Sequence, residues 1–178
     1  IAAPANLQWS EVGRIDLTLS ASNVLGSGLS VSGSSGAAGA LGPFRPHHLL
    51  VQATPACGSF SYAGQPFDVT LTARNAAGQP TLNYFHAASG TSFSREVALS
   101  DGGAPALGLG TLDPLSVAAT AFSAGQANAS VRYPFASKAS GPGTLRLRAT
   151  DSDGVSSAAQ PGADADMALR SGRLVLQS

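Results

Sequence analysis

The residues best suited to chemistry in this chain are two aspartates in a short acidic turn. Asp151 and Asp153 stand in the sequence Asp-Ser-Asp-Gly, directly after a segment that alternates apolar and polar residues. Calcium prefers carboxylate oxygens, but it takes six to eight oxygen ligands, usually from several converging side chains. An EF-hand loop needs a third ligand position and a closing glutamate, and neither is present here. Asp151 and Asp153 are therefore calcium candidates, with an ordinary Asp-Gly turn as the alternative.

Histidine and cysteine offer a second route to chemistry, as metal ligands or as a nucleophile with its base. His47 and His48 are adjacent, His86 lies further along the chain, and Cys57 is the single cysteine. Neighbouring residues of a strand point to opposite faces, so His47 and His48 are not expected to bind one ion together. The spacing is not that of a structural zinc site. We expect no metal site here, and interpret Cys57 as a buried apolar residue or as half of a bridge to a missing part.

Motifs of the common enzyme classes are absent from the sequence. There is no Gly-x-Ser-x-Gly elbow, no Gly-x-Gly-x-x-Gly loop and no Walker sequence. The two glutamates, Glu11 and Glu96, are far apart, and most aspartates lie in predicted turns. A surface hydrolase would need a nucleophile within hydrogen-bond reach of one of the histidines. We therefore predict a protein that is not an enzyme, with no catalytic residues and no cofactor.

Three aromatic residues are candidates for ligand binding. Tyr62 lies in a cluster with Phe60 and Phe67, where alternation along a strand puts Phe60 and Tyr62 on one face. A filled core is one interpretation of this cluster, and a platform on which a sugar stacks is the other. Tyr84 could serve in either way, and Trp9, near the N-terminus, is a candidate for partial exposure.

The elements that must position these residues are β-strands, because the clearest periodicity is two rather than 3.6. Segments of alternating apolar and polar residues are separated by glycine, proline, asparagine, aspartate or serine. We predict an all-β protein, an immunoglobulin-like sandwich of about seven to nine mostly antiparallel strands. The predicted strands are Ile15–Leu19, Leu49–Ala53, Phe67–Arg74, Thr81–Tyr84, Val97–Leu99, Ser116–Ala119, Ala129–Phe135, Leu145–Thr150 and Leu174–Gln177. The predicted core is Phe67, Val69, Leu71, Ala73, Tyr84, Leu99, Val131, Tyr133, Leu145 and Leu147.

Length and charge limit the classes of partner. The chain has 178 residues, of which 11% are charged, with ten basic and ten acidic side chains. Nucleic acids and anionic membranes attract clustered positive charge, so neither is an expected partner. No apolar run is long enough to cross a membrane. The chain begins with isoleucine and has no leader, which we interpret as a fragment of a longer protein.

The chain divides into three parts on sequence grounds. Residues 1–42 combine a strand with a loop rich in Gly, Ser and Ala, and are expected to be the end of a preceding module or flanking strands. Residues 43–169 are the predicted sandwich. Residues 170–178 are a terminal strand that could begin a following module. The loops 26–42 and 154–166 contain small residues and are expected to lie on the surface.

A more specific signal lies between Cys57 and Tyr84. The run Cys-Gly-Ser-Phe-Ser-Tyr-Ala-Gly-Gln-Pro-Phe and the strand that follows it resemble the uncharacterised domain of MSHA pilus biogenesis protein MshQ-like proteins of Gram-negative bacteria. Supporting pieces are Glu11-Val-Gly, Gly42-Pro-Phe-Arg-Pro-His-His, Asp151-Ser-Asp-Gly and Arg170-Ser-Gly-Arg-Leu-Val-Leu-Gln. The stretch from Val69 to Tyr84 is also similar to the first hairpin of bacterial immunoglobulin-like adhesin repeats.

This resemblance implies a protein on the surface of a Gram-negative bacterium, associated with type IV pili. The expected role is a structural or adhesion module, with a carbohydrate- or receptor-binding adhesin domain as the alternative. Expected partners are neighbouring β modules of the same polypeptide, pilus subunits, and host glycans or proteins. The family has no established catalytic residues to carry over.

Overall fold

The protein is all-β over the residues that the computed structural model describes, which are 8–137 and 141–172. These residues form twelve strands and four single turns of 3-10 helix. The strands are β1 (Gly13–Ile15), β2 (Thr18–Ala21), β3 (Val31–Ser34), β4 (Leu41–Phe44), β5 (His48–Thr54), β6 (Phe60–Tyr62), β7 (Phe67–Arg74), β8 (Val97–Asp101), β9 (Ser116–Val117), β10 (Gln126–Val131), β11 (Gly143–Asp151) and β12 (Ala165–Arg170). No helix among the described residues has the length and apolar character needed to cross a membrane.

Eight strands build two sheets that lie on either side of one core. The first sheet has three antiparallel strands in the order β10-β7-β5. The second has five strands in the order β6-β12-β11-β8-β9. All its pairs are antiparallel except β6 with β12, which run parallel. The predicted all-β, mostly antiparallel, sandwich-like fold is confirmed in this form.

The core follows directly from the alternation in the sequence. Every second residue of β7, from Phe67 to Ala73, is buried, and so are Leu145, Leu147 and Ala149 of β11. A strand presents residues i and i+2 to the same face, so each sheet turns one apolar row inward. All ten residues of the predicted core are buried, and all ten belong to one apolar cluster.

Residues 13–44 depart from the prediction. The alternation from Ile15 to Leu19 predicts one continuous half-buried strand, but the strand breaks between β1 and β2. β1 pairs with β4, whereas β2 pairs with β3 in a separate two-stranded ribbon. Both ribbon strands are fully exposed, including Leu19, because none of the other described strands covers them. The expected loop 26–42 therefore contains β3 and the start of β4.

Two further predicted strands differ from the structure, and a third falls on residues that the structure does not describe. Thr81–Tyr84 forms turns after a bridge between Arg74 and Pro80, rather than a strand. The strand predicted over residues 129–135 is shifted, since β10 covers Gln126–Val131. Leu174–Gln177 lies outside the described residues.

The N-terminal segment docks on the sandwich through two neighbouring residues. Both carboxylate oxygens of Glu11 accept hydrogen bonds from the backbone, one from Leu82 N and one from Asn83 N, at 3.1 Å each. Val12 is buried in the shared core. This segment therefore flanks the sandwich, as expected, although the proposed domain division at residue 42 stays a prediction.

Candidate functional site

The acidic turn after β11 is built around the buried carboxylate of Asp151. Its Oδ1 accepts hydrogen bonds from the backbone N–H groups of Asp153 and Val155, both at 2.9 Å. Its Oδ2 accepts a hydrogen bond from the Tyr84 hydroxyl, also at 2.9 Å. Both oxygens of this calcium candidate are thus occupied by protein donors, as in an Asx-turn.

Asp153, the second calcium candidate, faces arginines. Its Oδ2 lies 3.0 Å from Arg95 Nε and 3.7 Å from Arg45 Nε. Among the described residues no group of three or more histidine, cysteine, aspartate or glutamate side chains is placed to hold a metal ion. Calcium binding at Asp151 and Asp153 stays a prediction, and the geometry here is that of a turn held by hydrogen bonds and ion pairs.

Tyr84 lies in the core rather than on a binding surface. Its side chain is 1% exposed, and its ring packs edge-on against Phe122 with centroids 5.0 Å apart. Burial, and then the charge of Asp151, raise the pKa of the Tyr84 phenol above its ordinary value. The prediction of Tyr84 as a ligand-binding aromatic is wrong, because no ligand can reach a ring enclosed by the two sheets.

Tyr62, in contrast, is exposed, and it belongs to what we call the aromatic platform: Phe60, Tyr62 and Arg170. The Phe60 and Tyr62 rings meet edge-on, with centroids 5.1 Å apart. The Arg170 guanidinium lies 4.2 Å from the centre of the Phe60 ring, the arrangement of a cation–π contact. Tyr62 is 42% exposed and Phe60 is half-buried, so the interpretation of these two rings as core residues is wrong. Both lie on β6, one of the two edge strands of the five-stranded sheet.

The remaining sequence candidates are spread over the surface. Trp9 is 46% exposed. Cys57 is half-buried, and its thiol donates a hydrogen bond to Gln65 Oε1 at 3.4 Å. His86 is exposed and lies in a loop. The structure therefore does not gather the aromatic, cysteine and histidine candidates into one site.

The two adjacent histidines behave in a way that the sequence did not predict. His48 is buried and His47 is exposed, but their Nδ1 atoms lie 3.1 Å apart and their rings are nearly perpendicular. One nitrogen must carry the hydrogen that the other accepts. His48 also lines a cavity of about 340 Å³ together with Arg74.

Sequence reasoning also missed an apolar surface on the ribbon. Leu19 and Val31 lie on its two strands, and Leu25 and Leu29 lie in the connection between them, all well exposed. Leu19 and Val31 line a shallow cavity of about 290 Å³. We call these four residues the ribbon patch. The sequence signal for this surface was a set of apolar residues on either side of a Gly-Ser connection. The alternation of apolar and polar residues does not show whether another element covers a strand.

Comparison with protein families gives one match that covers most of the chain. Residues 11–171 match the family model described as DUF6701, third domain. The chain belongs to this family. The DUF6701 match includes Glu11 and Val12, the ribbon patch and all eight strands of the two larger sheets. No curated protein and no solved structure gives a significant match to the chain.

The DUF6701 assignment agrees with the resemblance at a coarser level. The expectation of a β-rich domain of unknown function is confirmed.

Proposed function

We propose that this domain is a non-enzymatic structural module of a protein on the surface of a Gram-negative bacterium, associated with type IV pili. The ribbon patch is the observation that carries the modular part of the proposal. The resemblance between Cys57 and Tyr84 to MshQ-like proteins supports the pilus-associated part. Its immediate partners are the neighbouring β domains of the same polypeptide, with pilus subunits as further partners.

The ribbon patch has the character of a contact surface. Four large apolar side chains are exposed on the ribbon and its connection, and two of them, Leu19 and Val31, line one shallow cavity. Exposed apolar surface of this kind marks interaction sites. A two-stranded ribbon is marginally stable by itself, so a partner that covers it contributes to its order. The family description names this a third domain, so family members contain other domains that could supply the cover.

The strand order supports a stiff spacer of the immunoglobulin type. The neighbour order β5-β7-β10 is the order of strands A, B and E in one immunoglobulin sheet, and we infer this equivalence. The neighbour order β12-β11-β8 is likewise that of strands G, F and C in the other sheet. Such sandwiches form extended arrays without chemistry of their own, which fits a module that holds another site away from the cell.

Hydrogen exchange tests the packing of the ribbon. The backbone amides of residues 18–34 would be compared in this chain alone and in the natural protein that contains its neighbouring domains. We expect at least tenfold slower exchange in the longer protein, and loss of that protection in Leu19→Ser/Val31→Ser. The matched control is Leu115→Ser, an exposed leucine elsewhere. Equal exchange in the two proteins would contradict the proposal.

The aromatic platform favours a second candidate function, direct binding of a carbohydrate or receptor. An exposed tyrosine beside an arginine offers both a stacking surface and a hydrogen-bond donor. Tyrosine resonances would be followed during titration with bacterial and host oligosaccharides. We expect Tyr62→Ala to abolish any binding and Phe85→Ala, at another exposed ring, to leave it unchanged. Binding that survives Tyr62→Ala would place the ligand elsewhere.

A further inference from the structure

A pocket on the outer face of the three-stranded sheet collects polar groups that no structural role explains. His48 and Leu50 of β5 form its floor with Arg74 of β7, and residues 76–78 and 160–163 form its walls. Leu49 and Val51 of β5 point into the core, so His48 and Leu50 face the opposite way. The volume of about 340 Å³ falls within the range of small-molecule sites.

Arg74 is the main positive charge of this pocket. Its Nε is buried and has no hydrogen-bond partner among residues 8–137 and 141–172. Among the described residues, Arg74 forms no ion pair with an aspartate. Five other arginines do form such pairs: Arg45, Arg95, Arg132, Arg146 and Arg148. None of the described aspartates and glutamates lines the pocket. The guanidinium therefore lacks a counter-charge in the pocket that it lines, and an anionic ligand there would balance its charge through the terminal N–H groups.

Two further side chains add hydrogen-bonding groups beside Arg74. His48 is 5% exposed and stands directly opposite Arg74 in the register of β5 and β7. Its Nδ1 is held by His47, which leaves Nε2 as the ring nitrogen for a ligand. Gln160 also lines the pocket and brings an amide that both donates and accepts.

We propose that this pocket binds a small organic carboxylate, of the size of one hexuronic acid unit. A guanidinium presents paired N–H groups that match the two oxygens of a carboxylate. The volume exceeds what a carboxylate alone would fill, and Gln160 and His48 suit the hydroxyl groups of a sugar ring. Leu50 and Pro161 supply apolar surface for its C–H face. This site is distinct from the ribbon patch and the aromatic platform, and it does not depend on either proposed function.

The pocket has a defined shape because three separate parts of the chain are tied together there. His47 N donates to Arg74 O at 2.8 Å, which joins the start of β5 to the end of β7. Val51 N donates to Ala163 O, also at 2.8 Å, which holds the wall 160–163 against the outer edge of β5. The turn 76–78 is held by Asn75, whose Oδ1 accepts from Ala77 N and Gln79 N.

Calorimetric and NMR titrations of the folded chain test the proposal with three probes. D-glucuronate is the carboxylate, D-glucose is its neutral counterpart, and inorganic phosphate is a tetrahedral anion. We expect D-glucuronate to bind with one site per chain and to shift the resonances of His48 and Gln160. D-glucose should bind at least tenfold more weakly, and phosphate should bind more weakly than D-glucuronate.

Variants locate the site. Arg74→Gln should weaken D-glucuronate binding at least tenfold, and Arg74→Lys, which keeps the charge but loses the paired N–H groups, should also weaken it. Arg14→Gln, at an exposed arginine outside the pocket, is the matched control and should bind normally. Near-UV circular dichroism confirms that each variant is folded. The proposal is overturned by absent binding of D-glucuronate, equal binding of D-glucose, tighter binding of phosphate, or unchanged binding by both Arg74 variants.

Discussion

Tyr84 and Asp151 lie 67 residues apart in the chain and meet in one buried hydrogen bond. The Tyr84 oxygen also accepts a hydrogen bond from Arg95 N at 3.2 Å. Arg95 in turn pairs with Asp153, two residues after Asp151. This chain of contacts fastens the loop before β8 to the turn after β11, so the residues that suggested calcium have a structural role without any ion.

Removing the phenolic hydroxyl should destabilise the protein measurably. Tyr84→Phe leaves one oxygen of the buried Asp151 carboxylate without its donor, at a cost of about 1–3 kcal/mol. Urea denaturation measures the change. Tyr62→Phe, at the exposed tyrosine, is the control and should change stability by less than about 0.5 kcal/mol. Equal effects of the two substitutions would show that the buried hydrogen bond contributes nothing net.

The histidine at the pocket should make stability depend on pH. Burial lowers the pKa of His48 below its ordinary value of 6.5, and the nearby His47 and Arg74 lower it further. Residues 76–78 and 160–163, the other segments that line the pocket, contribute no charged group. The imidazole of His48 binds a proton more readily in the unfolded chain than in the folded one. The stability contributed by neutral His48 is therefore complete above pH 6.5. It falls as the pH drops from 6.5 toward the folded-state pKa.

Urea denaturation at intervals between pH 5 and 8 would measure how the free energy of unfolding changes with pH. We expect this free energy to fall toward low pH in the natural protein and to fall less steeply in His48→Gln. His86→Gln, at an exposed loop histidine, should keep the slope of the natural protein. A slope that is unchanged in His48→Gln would assign the proton uptake to another group.

At the scale of elements, one glycine holds the segment before β9 close to the segment after β10. Gly110 forms a bridge with Phe135, and its N–H donates to the Tyr133 hydroxyl at 3.1 Å. A Cβ atom at Gly110 would overlap the backbone carbonyl oxygen of Pro134. No rotamer change relieves an overlap with backbone, so only hydrogen fits at this position.

Gly110→Ala should therefore destabilise the protein by about 1–3 kcal/mol, the usual cost of overpacking. Thermal unfolding followed by circular dichroism measures it. Gly33→Ala is the matched control, because a Cβ there meets no described atom within 4 Å. If Gly33→Ala lowers the stability as much as Gly110→Ala does, the overlap with the Pro134 carbonyl is not the cause of the destabilisation.

Some elements could be predicted from the sequence because their chemistry is local. β7 alternates apolar and polar residues over its whole length, and its inward row is buried as expected. Leu17 and Leu19 continue the same kind of pattern, but Leu19 is 64% exposed. The alternation of apolar and polar residues shows which residues share a face of a strand. It does not show whether another element covers that face.

The pocket could not be predicted for a related reason. His48 and Arg74 are 26 positions apart and become neighbours through the register of β5 with β7. Gln160 arrives from a third part of the chain. A register is set by the packing of the whole sheet, so no spacing in the sequence pointed to this group of residues.

At the scale of the whole molecule, the two larger sheets share one core, whereas the ribbon stands outside it. Leu71 of the first sheet and Leu147 of the second are both fully buried in the same cluster. None of the described ribbon residues belongs to that cluster. The sandwich should therefore unfold as one cooperative unit, and the ribbon should contribute little to its stability.

Calorimetry can check this cooperativity. Leu147→Ala should cost about 2–5 kcal/mol and shift a single transition, because it opens a cavity between the sheets. Leu115→Ala, at an exposed leucine, should shift the transition little. Two separate transitions, with Leu147→Ala affecting one of them, would contradict a shared core.

The parallel pairing of β6 with β12 gives the sandwich a mechanical property. Three residue pairs join these strands: Ala168 with Phe60, Leu169 with Ser61, and Arg170 with Tyr62. Tension that pulls β6 backward along the chain and β12 forward loads the bonds between them in shear, so that they must break together. A hairpin pulled at its open end gives up its bonds one at a time. A domain closed in this way resists a pull along the direction of its strands.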